Sequence, residues 1–150
     1  MGNYNPTVDE CIAQWQHNRL LLSKLDPEFS DWIVTATFYT ALHAVESLLL
    51  ADAVKADHAT HGSRAMVLQN NRKYNETIWP AYKVAYDLAH VARYSAKPRR
   101  WMKADNIPLL LFQRSLYPIE AEVLKWLRAL KVPPTCPDCP PVTLKPATPA

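Results

Sequence analysis

The stretch DHATHGSR, residues 57–64, sets His58, His61 and Arg64 at three-residue intervals. These are residue types for acid–base and phosphate chemistry near neutral pH. A histidine here would act as general acid or base, and Arg64 would stabilise a phosphate or an oxyanion. A structural reading competes. Thr60 then caps a helix, and His61 and Arg64, one turn apart, point outward or bond the loop. The sequence pairs neither with a base and a nucleophile. The segment also lacks a set of ligands at helical spacing, so no metal site is expected.

His43 lies one turn after Tyr39 on an apolar segment. As a core histidine it would be satisfied by a buried hydroxyl or carbonyl; as a functional one it would face a cleft. Asp87 and His90, also one turn apart, could orient one another or form a plain structural pair. The segment 96–105, AKPRRWMKAD, places Lys97, Arg99, Arg100 and Lys103 around Trp101. Four cations beside an aromatic can contact a phosphate backbone and stack on a base, although such loops are often merely solvated. Cys136 and Cys139 have the spacing of half a zinc site, but Cys11, at the far end of the chain, is the one further cysteine. A redox role for CPDC would need a preceding strand and a following helix, and neither is predicted. No nucleophile-elbow pattern occurs.

The elements that must position these groups read as helices. With 150 residues the chain is long enough for one domain with a core of its own. A net charge of +3 permits a nucleic-acid partner without demanding one. The odd count of three cysteines argues against a secreted disulfide framework. Asp9 and Glu10 interrupt the first apolar stretch, so no leader is expected. No eighteen-residue apolar run suggests a membrane span. A cytoplasmic protein with no membrane partner is the expectation. Two glycines, Gly2 and Gly62, exclude phosphate-cradling loops and disfavour hairpins.

Thr7-Val8-Asp9-Glu10 is a capping box opening a helix to about Leu25, before Asp26-Pro27. A second helix, about 31–53, is apolar nearly all round and belongs in the centre of a bundle or between subunits. Further helices are expected from Thr60 to Asn71, from Glu76 to Arg93 with Pro80 in the first turn, and over 118–131. Whether 108–117 joins the last one across a kink at Pro118 is open. Seven of the thirteen prolines lie in 133–149, so residues 132–150 read as a flexible tail behind a bundle spanning 1–131. The fold class is all-α, an antiparallel bundle of four to five helices.

The order of features resembles the HEPN-domain proteins (higher eukaryote and prokaryote nucleotide-binding). The helix DWIVTATFYTALHAVESLLL is followed by the loop DHATHGSR and then by YDLAHVARYSA. Tyr39 and His43 match the family's Tyr/His helix, His61 (or His58) its loop histidine, and Ala92 and Tyr94 its later helix end. The resemblance covers roughly residues 31–95. It implies a helical bundle, often a homodimer, and a nucleic-acid or nucleotide ligand, with toxin–antitoxin or defence settings and an antitoxin-like partner. Many members are metal-independent ribonucleases with an arginine four to six residues before a histidine, and no arginine here has that spacing. His90 stands where relatives place an arginine, and Arg93 where others have an aspartate. The resemblance therefore implies a binding module without the usual ribonuclease motif. Two alternatives stand beside it: a ribonuclease with a displaced site, and a non-catalytic structural protein. His43, His61, Arg64 and Arg93 are the catalytic candidates. Tyr39, Tyr94, Lys97, Arg99, Arg100, Trp101 and Lys103 are the nucleic-acid candidates. No cofactor is expected.

Overall fold

A computed structural model describes residues 5–95, 101–103, 105–132 and 138–146. Among these residues the protein is all-helical, with α1 (Val8–Leu22), α2 (Ser30–Ala51), α3 (His61–Asn70), α4 (Ile78–Tyr94), α5 (Ile107–Leu111) and α6 (Tyr117–Ala129). A 3-10 turn, Pro27–Phe29, leads into α2, and a π segment, Phe112–Leu116, joins α5 to α6.

Both predicted N-caps form. Thr7 Oγ1 accepts from Glu10 N–H while the Glu10 carboxylate accepts from Thr7 N–H. Thr60 and Ser63 reciprocate in the same way at α3. The first helix stops at Leu22 instead of about Leu25, because Ser23 caps it and Asp26 starts the 3-10 turn by accepting from Glu28 N–H.

Helix α2 occupies the centre, packed by α1, α4, α5, the π segment and α6. Ile33, Val34, Phe38, Ala41, Ala44, Val45, Leu48 and Leu49 are fully buried. The helical stretch Pro27–Ala51 is long and apolar enough to cross a membrane by composition, which the sequence reading did not expect. In this fold 78% of its apolar window is covered by the rest of the protein.

The open question at Pro118 is resolved by a π turn. Tyr117 N–H donates to Phe112 O, five residues back. A proline cannot donate to a carbonyl one turn behind it, and its ring crowds that carbonyl. Widening the turn just before Pro118 lets 107–129 continue as one rod. Ser115, inside that turn, donates its hydroxyl to Ala81 O of α4 at 2.6 Å.

The tail departs from the free segment read in the sequence. Residues 138–146 have no regular structure, yet they lie along the α1–α6 seam, with Cys139, Val142 and Leu144 against the core. Arg19 donates to Pro140 O, and Val142 N–H donates to Tyr117 Oη at 2.9 Å. Beneath them Glu120, almost wholly buried, accepts from Trp15 Nε1 at 2.7 Å and from Arg19 at 3.0 and 3.1 Å. Burial pushes this carboxyl up, against Arg19, Trp15 and Cys139, which pull it down.

Candidate functional site

Three helices send polar side chains to one region. On α2, Tyr39, His43 and Glu46 recur at intervals of four and three and so share a face. The first turn of α3 contributes His61 and Arg64. On α4, Tyr82, Tyr86, Ala89 and Arg93 form the facing stripe at intervals of four, three and four.

Arg64 is buried, not outward. Its Nε donates to Glu46 Oε1 at 2.5 Å, and His58 Nδ1 stands 2.8 Å from Glu46 Oε2. Glu46 therefore holds α3 and the preceding loop on α2. Burial pulls the Arg64 guanidinium down, but Tyr82 and Glu46 outweigh it and the net direction is up. Tyr82 itself is pushed up to about 12, chiefly by burial. The Arg64–Glu46 pair also borders a cavity of about 570 Å³ with His43, His58 and Cys11 on its wall. Burial, with Glu46 and Glu10, raises that thiol to about 11, so Cys11 is no nucleophile at neutral pH.

His61 enters a cage of rings. Its centroid lies 5.6 Å from Phe38, 6.3 Å from Tyr39 and 6.1 Å from Tyr86. Its Nδ1 is buried with no hydrogen-bond partner among the described residues. Burial first, then the Arg64 and Arg93 charges, hold this imidazole below its ordinary value, so it is neutral at pH 7. His43 is half-buried and shifted the same way by burial and Arg64, against Glu46. It has no hydrogen-bond partner among the described residues, so the satisfied core histidine of the structural reading is not what forms.

Arg93 closes the cluster. Its NH1 donates to Tyr39 Oη at 3.0 Å and its Nε to Ala89 O at 3.2 Å. The guanidinium carbon sits 5.8 Å from the Tyr39 ring centre, 6.0 Å from Phe38 and 5.4 Å from Tyr94. Both acceptors are neutral, and no carboxylate pairs with it among the described residues. A half-buried cation with neutral partners and a rim of rings is arranged to receive an anion.

The four catalytic candidates His43, His61, Arg64 and Arg93 thus come together with Tyr39. The nucleic-acid candidates divide. Tyr94 is exposed and lies against His90 at 4.8 Å. Trp101 is exposed, and Lys103 pairs with Glu28. Lys97, Arg99, Arg100 and Cys136 lie outside the described residues. The Asp87–His90 pairing does not form, because Asp87 pairs with Lys83 one turn earlier at 2.5 Å. Among the described residues no group of three His, Cys, Asp or Glu is placed to hold a metal ion.

Glu46 is the member that sequence reasoning missed. Its signal was a charge three residues after His43 on a helix almost free of charge, facing inward with nothing local to pair it.

No family model matches the chain, and neither a curated protein nor a solved structure matches it.

Proposed function

We propose that this chain is a HEPN-like binding module for a nucleotide or an RNA phosphate, without the Arg-to-His ribonuclease spacing. The observation that carries the reading is Arg93: a guanidinium held by Tyr39 Oη and Ala89 O, beside His61, with no carboxylate to neutralise it among the described residues. Phosphate supplies the missing charge and accepts from the guanidinium edge. Neutral His61 adds a donor or an acceptor at the same place. Arg64, bound to Glu46, contributes fixed positive potential instead of a free hand. Exposed Tyr94, beside Arg93, extends the surface with a ring on which a base can stack.

The test is a single-stranded oligoribonucleotide titrated into the full chain, with integrity of the RNA followed in the same samples. Arg93→Ala weakens binding at least tenfold, while its stability stays within about 1.5 kcal/mol of the parent, since only neutral-acceptor hydrogen bonds are lost. Equal RNA affinity in the two proteins would contradict the reading. Cleavage that disappears in His61→Ala would turn it toward the displaced-site ribonuclease, which the neutral His61 imidazole favours. A self-associated state, as in many proteins of the resembled family, is read by light scattering on the same samples.

A further inference from the structure

We infer that the groove between α1 and α2 is a nucleobase subsite, taking the base of a nucleotide whose phosphate is held at Arg93 and His61. The inference rests on the phosphate-binding reading above. The groove encloses about 410 Å³, with Gln14 and Asn18 on the α1 side and Trp32, Ala36, Tyr39 and His43 on α2. Its occupant follows from four features.

The aromatic faces come first. Trp32 is 60% exposed on a helix that is otherwise mostly buried. Trp32, Ala36 and Tyr39 recur at four and three residues, so they line one face, and the small Ala36 leaves a notch between the two rings. Such a notch accepts a flat ring system.

The second feature is charge. Among the described residues no ionised side chain lines the groove. A neutral, flat group fits it; an anion or a charged peptide does not.

The third is hydrogen bonding. Gln14 Nε2 donates to Asn18 Oδ1 at 2.9 Å, which leaves the Gln14 carbonyl as an acceptor and the Asn18 amide as a donor. His43, neutral and unpartnered among the described residues, adds one donor and one acceptor. These alternating groups match the edge of a base. An apolar helix from a second copy would cover them without satisfying them, at a cost in free energy.

The fourth is continuity. Tyr39 lines the groove with its ring and accepts from Arg93 with its hydroxyl. Phosphate site and groove therefore meet at one tyrosine, as a sugar links phosphate to base in a nucleotide.

The experiment is calorimetric titration of the full chain with adenosine monophosphate, ribose 5-phosphate and inorganic phosphate. A parallel pair of single-stranded oligoribonucleotides, with and without one abasic position, separates a free nucleotide from a strand as the source of the base. The expected result is that adenosine monophosphate binds at least tenfold more tightly than ribose 5-phosphate. That ratio falls to about one in Trp32→Ala and in Ala36→Leu, which fills the notch; circular dichroism checks the fold of both. Equal affinities for the two ligands in the parent chain, with phosphate still bound, would overturn the base subsite and leave the phosphate reading standing. Absence of binding by every phosphate compound would instead overturn the phosphate reading. If Ala36→Leu converts a dimer to a monomer on light scattering while the ligand ratio stays, the groove is a self-association surface and the inference fails.

Discussion

At the residue scale, the buried Arg64–Glu46 pair and the solvent-exposed Lys83–Asp87 pair have similar geometry and different consequences. Lys83 and Asp87 are more than half exposed, so their pairing contributes at most about 0.5 kcal/mol. Glu46 and Arg64 are buried, and removing Glu46 leaves the Arg64 guanidinium buried without its carboxylate. Glu46→Ala therefore destabilises the fold by about 3–5 kcal/mol in chemical denaturation, far more than Asp87→Ala. The histidines give a pH signature. Burial and neighbouring cations hold folded His43 and His61 below 6.5, so the unfolded chain binds more protons at these sites. Stability from them is complete above the unfolded value and is lost as pH falls through the folded ones. Unfolding free energy should therefore drop as pH is lowered below about 6.5, and the His43→Gln/His61→Gln double variant should flatten that drop. An undiminished slope in the double variant would place the titration elsewhere. The sequence offered these groups as candidates because their types and spacing are local information. It did not show that Glu46 would collect Arg64 and His58, since that pairing spans 12 to 18 residues and depends on how α3 packs.

At the element scale, what was legible obeys short-range rules. The capping boxes at Thr7 and Thr60 and the burial of α2 follow from patterns within a few residues. The rod 107–129 was not legible, because a π turn before Pro118 has no composition of its own and forms only where the flanking helix is held by packing, here by Ser115 on Ala81. Gly62 offers a test of the first turn of α3. A Cβ there would meet nothing within 4 Å, and the glycine has no positive φ to preserve. Gly62→Ala should raise stability by about 0.4–1 kcal/mol through lower unfolded-state entropy. A loss of stability would mean that this turn is not the ordinary helix start seen here. Either way His61 and Arg64 stay in register, so the substitution separates helix stability from ligand affinity.

At the scale of the whole molecule, a hydrophobic bundle carries two polar clusters that concern function and the tail. One is the α1–α6 seam, where buried Glu120 meets Trp15 and Arg19 and residues 138–146 run over it. The other is the α2–α3–α4 cluster around Tyr39, His61 and Arg93. Proline content pointed to a segment without regular structure, and the described residues 138–146 have none. Its docking could not be read, because it depends on single backbone contacts such as Val142 N–H to Tyr117 Oη. The family resemblance implied that Tyr39, His43 and the Arg93–Tyr94 helix end meet; that His61 and Arg64 join them depends on how α3 packs and could not be read from the sequence. The most direct test of the anion site is nuclear magnetic resonance on the full chain. The Arg93 Nε–H and His61 ring signals are followed as adenosine monophosphate and inorganic phosphate are added. The account predicts that both signals move together, saturably and with one affinity for each ligand, while Lys83 and Asp87 signals stay still. A folded chain in which neither signal moves at millimolar ligand would contradict it.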